Sequence, residues 1–264
     1  MKKFLVIGNP IEHSLSPKLH NYWFKNNNIE AIYGKLETHE SDLPELIKNL
    51  KEKKLDGINI TVPYKKTVIP YVDVLSGHAL RTQSVNTISF QNGNLIGHNT
   101  DIDGFEISMK KLNYHVKDKT IIILGAGGVV TSIVYALIKM GASQIILSNR
   151  TKEKAKALKN VFKDLRVIDW GELVDFDMII NATSLGLKEN DKFGTDFTIA
   201  GKNKLFYDII YEPCDTEFSE AARITGNTYE NGLNMFLFQA QKAFNIWHNI
   251  DPIINDDLIK FLKS

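Results

Sequence analysis

The stretch Thr120-Ile121-Ile122-Ile123-Leu124-Gly125-Ala126-Gly127-Gly128 limits what this chain can fold into more than any other. A short β-branched run stops at a cluster of glycines, and residues 129–140 follow as an apolar, helix-forming segment. The order is strand, tight turn, helix. Glycine lets the backbone turn sharply and approach a phosphate without a Cβ in the way, while free N–H groups at the start of the helix face the anion. Such a turn suits a dinucleotide pyrophosphate held by Gly125, Ala126, Gly127 and Gly128. Glycine-rich turns also serve simply to join a strand to a helix, and the stretch by itself leaves both readings open.

Beyond it, apolar strands at residues 144–148, 166–168, 178–181 and 205–210 alternate with helical patterns at 152–162 and 216–225. That alternation predicts a doubly wound βαβ sheet. In NAD-binding sheets of this kind an acid roughly 20 residues past the glycine turn accepts hydrogen bonds from the ribose hydroxyls. Here the second strand ends Ser148-Asn149-Arg150-Thr151-Lys152, with no acid before Glu153. Two cations and a hydroxyl suit a 2′-phosphate, and an arginine stacks on adenine. Asn149, Arg150, Thr151 and Lys152 therefore predict NADP over NAD. After another strand, Asn181-Ala182-Thr183-Ser184 offers small polar residues, Thr183 among them, that either line a cofactor cleft or form a plain turn.

In the first hundred residues, the continuous apolar run at 4–7 predicts a strand covered on both faces. It leads into Gly8-Asn9-Pro10-Ile11-Glu12-His13-Ser14-Leu15-Ser16-Pro17. Ser16 ahead of Pro17 predicts an N-cap and a first helical residue, which leaves the Ser14 hydroxyl free to bind a ligand; that both serines only cap is the other reading. Residues 41–54 predict an amphipathic helix with Leu43, Leu46, Ile47 and Leu50 on one face. The next strand stops at Pro63, placing Asn59, Thr61 and Lys65 at or just past a carboxyl end, where open α/β sheets bind ligands. Pattern alone favours Lys65 and Lys66 as surface residues. Asn92-Gly93, between strand-like runs at 85–90 and 94–96, predicts a type I′ hairpin and hence an antiparallel element. Asp101 either caps a helix beginning near Ile102 or serves function. Gln239, on a long apolar helix at 234–249, faces solvent or reaches into a cleft.

A chain of 264 residues holds two modest domains or one large one. Lys plus Arg (32) nearly cancels Asp plus Glu (31), so no global field points to nucleic acid or an anionic membrane as partner. The apolar run after Lys2-Lys3 is too short for a signal peptide, and no later segment approaches membrane-spanning length. The single Cys214 excludes an internal disulfide and a multi-cysteine zinc site, and no third ligand joins His13 and His20 at convincing spacing. A cytoplasmic protein without a metal is the expectation.

Taken together and in order, these motifs resemble the shikimate dehydrogenases over nearly the whole chain. The carrying residues are the Gly8–Pro17 stretch quoted above, Asn59-Ile60-Thr61-Val62-Pro63-Tyr64-Lys65, Val85-Asn86-Thr87, Asn99-Thr100-Asp101, the glycine turn, Asn149-Arg150-Thr151, Asn181-Ala182-Thr183-Ser184, Tyr211-Glu212-Pro213, and Asn231-Gly232-Leu233 with Gln239-Ala240. No single structural requirement would produce all of them. The resemblance implies NADP-dependent interconversion of 3-dehydroshikimate and shikimate, a step towards chorismate and the aromatic amino acids. It implies an α/β fold: a Rossmann-type doubly wound NADP domain at residues 103–234, and an α/β substrate domain at residues 1–102 completed by helices at 235–264, with the active cleft between them. The substrate domain would have a mainly parallel sheet and one antiparallel element.

The same resemblance implies that Ser14, Ser16, Thr61, Asn86, Asp101, Tyr211 and Gln239 contact the substrate's carboxylate or hydroxyls, and that Ile209 and Gly232 lie near the nicotinamide. Hydride transfer between nicotinamide and a secondary alcohol needs a proton moved to or from the oxygen. Lys65 is the candidate, since a positioned ammonium both stabilises a developing alkoxide and donates to it, with Asp101 holding Lys65. The chain departs from the family pattern at Gln83-Ser84, where Gly-Ala is more frequent, at Gly77, where an acid is frequent, and at Val129-Val130, where a smaller Ala is usual. These bear on cofactor-side detail more than on the reaction. Two alternatives compete. A quinate/shikimate dehydrogenase that accepts NAD is opposed by the cationic run at 150–152, and a non-catalytic NADP-sensing protein is opposed by the Lys65–Asp101 pair. The partner expected is a small molecule, with monomer and homodimer both compatible.

Overall fold

The computed structural model describes residues 1–188 and 191–264. The chain divides into two compact units, Met1–Gly104 with Leu237–Ser264, and Phe105–Phe236.

In the first unit the strands are β1 (Lys2–Gly8), β2 (Ala31–Glu37), β3 (Gly57–Ile60), β4 (Val74–Leu75), β5 (Thr87–Gln91) and β6 (Asn94–His98). The helices are α1 (Ser16–Asn26), α2 (Leu43–Lys51) and α3 (Gly77–Thr82), with α4 (Asp101–Lys111) beginning in this unit. The sheet order is β2-β1-β3-β5-β6-β4. Only β5 runs against its neighbours β3 and β6; every other pair is parallel. The hairpin that reverses the chain has Gln91 opposite Asn94, with φ of 50° at Asn92 and 82° at Gly93, the two positive values a type I′ turn requires.

Each face of this sheet is covered for a legible reason. Leu43, Leu46, Ile47 and Leu50 recur at helical spacing on α2 and bury against Ile7, Ile58, Ile60 and Ile88. The helix is shorter than the pattern at 41–54 predicts: a 3-10 turn occupies Glu40–Asp42, and Lys53, at φ 55°, lies beyond the end of the helix. On the other face Phe4 packs on Phe24 and Trp247, with ring centroids 5.5 and 4.8 Å away. The elements the sequence leaves unread here are β2, β4 and α3. β2 is an edge strand with only Tyr33 buried, and β4 has two residues.

In the second unit come β7 (Thr120–Leu124), α5 (Val130–Lys139), β8 (Gln144–Ser148), α6 (Lys152–Leu158), β9 (Arg166–Ile168), β10 (Met178–Asn181), β11 (Leu205–Asp208), α7 (Glu217–Ile224) and β12 (Thr228–Glu230). After it α8 (Leu233–His248) leads back into the first unit, which α9 (Asp256–Lys263) closes. The sheet order β12-β11-β10-β7-β8-β9 is parallel throughout, 3-2-1-4-5-6 when counted from β7. It is the doubly wound order, with its switch point between β7 and β10. Ile121 to Leu124 and Ile179 to Ile180 are buried on both faces, which is why their strands carry no alternation. The expected α/β class, one doubly wound parallel sheet and one mainly parallel sheet with an antiparallel element, is the fold this chain adopts. Two elements stop well short of the pattern, α6 at Leu158 rather than 162 and β11 at Asp208 rather than 210, and the edge strand β12 went unread.

Candidate active site

In the first unit, β1 and β3 lie side by side and parallel, so the segments that follow them emerge at the same edge of the sheet. A Cβ on Gly8 would stand 2.4 Å from Thr61 Cγ2 and 3.0 Å from the Val62 carbonyl, so only glycine lets the two segments meet. Thr61 N–H donates to the Ile7 carbonyl at 2.9 Å, and Asn9 N–H to that of Val62 at 3.0 Å. The chain then winds through a turn in which Tyr64 and Lys65 point inward and Lys66 is exposed. The Lys65 carbonyl accepts the Val85 N–H at 2.8 Å, which fixes the turn against the strand ahead of β5.

Lys65 is therefore buried, contrary to the surface position its pattern favours: 8 % of it is exposed, against 5 % of Asp101. Its Nζ lies 2.7 Å from Asp101 Oδ2. Asn86 Nδ2 donates to the other carboxylate oxygen at 2.9 Å, while Asn86 Oδ1 accepts the Thr100 N–H at 2.9 Å. Gln239 reaches inward from α8, its Oε1 lying 3.4 Å from Asn86 Nδ2 and 3.5 Å from Thr100 Oγ1. Lys65, Asp101, Asn86 and Gln239 thus form one polar cluster.

The capping expectations change at two places. Ser16 is the first residue of α1 and caps nothing; the N-cap position falls on Leu15, which has no side-chain cap, and Ser14 Oγ accepts the Ser16 N–H at 3.3 Å from the preceding loop. Asp101 is likewise already helical, and Asn99 Oδ1 accepts its N–H at 3.1 Å, which leaves the Asp101 carboxylate to Lys65 and Asn86.

The second unit carries the glycine turn at the carboxyl end of β7. Gly125 has φ 116°, and a Cβ there would lie 2.6 Å from the Ala182 carbonyl, so β7 and the segment after β10 meet backbone to backbone. Around Gly127 a Cβ would touch nothing within 4 Å, and no side chain caps α5. That open turn with an uncapped helix start fits a pyrophosphate. Arg150 and Thr151 are exposed past the end of β8, with the Asn149 side chain donating to the Thr151 carbonyl at 2.7 Å. The Lys152 ammonium is already paired with Asp169. Arg150 and the Thr151 hydroxyl are left as the donor set suited to a 2′-phosphate.

Thr183 does not stand alone in its turn: its hydroxyl donates to Asn181 Oδ1 at 2.7 Å and accepts the Leu185 N–H at 3.0 Å. Asn181 in turn donates to Asp208 Oδ1 at 2.9 Å, which also accepts the Ile210 N–H at 2.9 Å. Burial pushes the Asp208 carboxyl up to about 7. Ile209 and Gly232 meet directly, since a Cβ on Gly232 would fall 2.0 Å from the Ile209 carbonyl. Tyr211 stacks on Phe236 with centroids 4.9 Å apart. Sequence reasoning did not place Tyr33, Thr87 or Asp208 in the site; Asp208 ends the otherwise apolar β11, whereas Tyr33 lies on the largely exposed β2 and Thr87 opens β5. Among the described residues no group of three or more His, Cys, Asp or Glu could hold a metal ion.

Over 261 residues the sequence is 52 % identical to a shikimate dehydrogenase (NADP(+)) of Pelagibacter ubique strain HTCC1062, covering 99 % of this chain and 98 % of that one. The chain belongs to the shikimate dehydrogenase family. Two family models of the shikimate dehydrogenases match within it, the substrate binding domain at residues 6–88 and the shikimate / quinate 5-dehydrogenase domain at 106–191. The crystal structure of shikimate dehydrogenase from Aquifex aeolicus is similar with a TM-score of 0.93 at 36 % identity, covering 100 % of this chain and 98 % of that one. That of the Thermus thermophilus shikimate 5-dehydrogenase, in complex with NADP(H) and shikimate, gives 0.90 at 29 %, covering 100 % and 99 %.

Proposed function

We propose that this chain interconverts 3-dehydroshikimate and shikimate with NADP, as the dehydrogenase step of chorismate and aromatic amino acid synthesis. The observation that carries the reading is the buried Lys65–Asp101 pair, 2.7 Å apart, in a chain of this family. NADP, when bound, accepts or supplies the hydride. The chain's own residues handle the proton. In the reducing direction Lys65 Nζ donates a proton to the oxygen of the carbonyl as that oxygen becomes an alkoxide; in the oxidising direction Nζ takes the hydroxyl proton back. Asp101 holds the ammonium in place and accepts from the same hydroxyl, and Asn86 keeps the Asp101 carboxylate oriented.

Ser14, Ser16, Thr61, Asn86, Tyr211 and Gln239 bind the substrate's carboxylate and hydroxyls. Gly125, Ala126, Gly127 and Gly128 bind the pyrophosphate. Asn149, Arg150, Thr151 and Lys152 bind the adenosine side, with Arg150 contributing most because Lys152 is shared with Asp169. Thr183, Ile209 and Gly232 frame the nicotinamide. Residues 1–102 with 235–264 serve the substrate, and residues 103–234 the cofactor. The enzyme acts in the cytoplasm as a monomer or homodimer, a reading supported by its near-balanced charge and single cysteine.

One assay tests this: purified protein with shikimate or quinate and NADP or NAD, following reduced nicotinamide by absorbance. Shikimate with NADP is expected to give the highest kcat/KM. A preference for quinate with NAD would move the chain to the quinate/shikimate class, and no turnover in any combination would leave an NADP-sensing protein.

A further inference from the structure

A series of buried side-chain hydrogen bonds runs through the first unit behind the Lys65–Asp101 pair. Tyr33 on β2, 2 % exposed, places its hydroxyl 2.6 Å from Asn59 Oδ1 on β3. Asn59 Nδ2 lies 2.9 Å from Thr87 Oγ1 on β5 and 3.1 Å from the Asn86 carbonyl. Thr87 Oγ1 is 3.1 Å from Asn86 Oδ1, and Asn86 Nδ2 is 2.9 Å from Asp101 Oδ1.

The direction of every proton in this series is forced. A backbone N–H, that of Thr100, donates to Asn86, so the atom it meets is the amide oxygen and the amide NH2 faces Asp101. The Asn59 NH2 meets a backbone carbonyl, so its other atom is an acceptor and Tyr33 must be the donor to it. Thr87 receives from Asn59, and its one proton goes to Asn86 Oδ1. All donors point the same way, from Tyr33 through Asn59, Thr87 and Asn86 to Asp101, where Lys65 donates from the opposite side. Hydrogen bonds so aligned in a buried setting polarise one another. Removing one link strands the groups on either side without water to replace it.

Tyr33 itself is pinned. Asn21 Oδ1 accepts its N–H at 2.9 Å, Asn21 Nδ2 donates to its carbonyl at 2.8 Å, and its ring stacks on His20 with centroids 4.3 Å apart and planes 5° from parallel. A strand edge with six residues in partial or full contact with solvent thus holds one buried hydroxyl at a set point. We propose that Tyr33 and Thr87 are positioning residues of the dehydrogenase reaction: without touching substrate, they set the amide orientations of Asn59 and Asn86 and hold the Asp101 carboxylate against Lys65. The assignment rests on the dehydrogenase reading.

The test compares Thr87→Val, which removes the hydroxyl, with Thr87→Ser, which keeps it, and adds Tyr33→Phe. Shikimate oxidation with NADP is measured for each, with kcat and KM separated, and the side-chain amide signals of Asn59 and Asn86 are followed by hydrogen exchange in 15N-labelled protein without substrate. Thr87→Val should lower kcat by about 10- to 100-fold with a smaller change in KM, since a small misplacement near the reacting groups costs rate. Thr87→Ser should recover kcat to within about threefold of wild type, and Tyr33→Phe should lower kcat. Both disrupting variants should speed exchange of the two amides, and Thr87→Ser should restore protection. Wild-type kcat in Thr87→Val, or a Thr87→Ser variant as impaired as Thr87→Val, overturns the proposal, the latter because the loss would then belong to the methyl group. Wild-type protein that fails to oxidise shikimate overturns the reading of function instead; the amide exchange then decides whether the aligned series exists.

Discussion

At the scale of single residues, the burial of Lys65 beside Asp101 fits a chemical role better than a structural one. Taking a lysine and an aspartate out of water costs more than their attraction returns in many proteins, so a buried pair of this kind is a poor source of stability. The cost is met here by fixed partners: Asn86 on the free carboxylate oxygen, and a turn whose carbonyl is tied to Val85. Lys65→Ala should therefore fold and bind NADP while kcat falls by at least about 100-fold, the lower range for loss of a proton-transfer group. Kinetics alongside NADP titration check this, and near-normal kcat would remove Lys65 from the mechanism. Nothing periodic distinguishes Lys65 from Lys66, because a turn has no repeating face; one step along the chain separates the buried lysine from the exposed one. The family motif singled it out where the pattern could not. Ser16 is a similar case, since a shift of one residue puts Leu15 at the N-cap and makes Ser16 the first helical residue ahead of Pro17.

At the scale of elements, α8 meets the first sheet through Trp247, among other contacts. Trp247 donates its indole N–H to the Ile88 carbonyl at 3.1 Å and lies so close over β3 that a Cβ on Gly57 would stand 2.4 Å from Nε1. Gly57→Ala should push the indole away, break that bond and destabilise the protein by about 2 kcal/mol, a typical overpacking cost. Combining it with Trp247→Leu should cost less than the two single changes summed, because the clash disappears with the ring. Urea denaturation of the three variants checks this, and strict additivity would show that the two residues do not compete for space. The same packing explains which elements were legible. β7, β8 and β10 are buried on both faces and announce themselves as continuous apolar runs, and Asn92-Gly93 announces its hairpin through backbone conformation. β2 and β12 are edges, and β4 has two residues, so no burial pattern is written into them. Tyr33 was lost with β2, and with it the link to Asn59.

At the scale of the whole molecule, the two units respond to acid in opposite senses. In the first, burial drives the imidazolium form out of His20, held down to about 3 with the help of nearby His248, and out of His98 and His248, both held down to about 4. An unfolded histidine titrates near 6.5, so between about pH 4 and 6.5 unfolding this unit takes up nearly one proton per histidine. Its stability therefore falls as pH falls, by about 1.4 kcal/mol per pH unit for each proton. In the second unit Asp208, pushed up to about 7 by burial, keeps its proton when the unfolded carboxyl has lost it, so unfolding releases a proton between about pH 4 and 7. That unit gains stability as pH falls through the same window. The carboxylates held low by hydrogen bonds, Asp73 in the first unit and Asp175 and Asp196 in the second, titrate below this range and do not alter the signs. The tryptophans divide conveniently: Trp23 and Trp247 lie in the first unit and Trp170 in the second. Urea unfolding followed by fluorescence in Trp170→Phe reports the first unit, and in Trp23→Phe/Trp247→Phe the second. Going from pH 7.5 to pH 5, the midpoint should fall in the former and rise in the latter. Midpoints that move together would mean that the histidines and Asp208 titrate as they do in the unfolded chain.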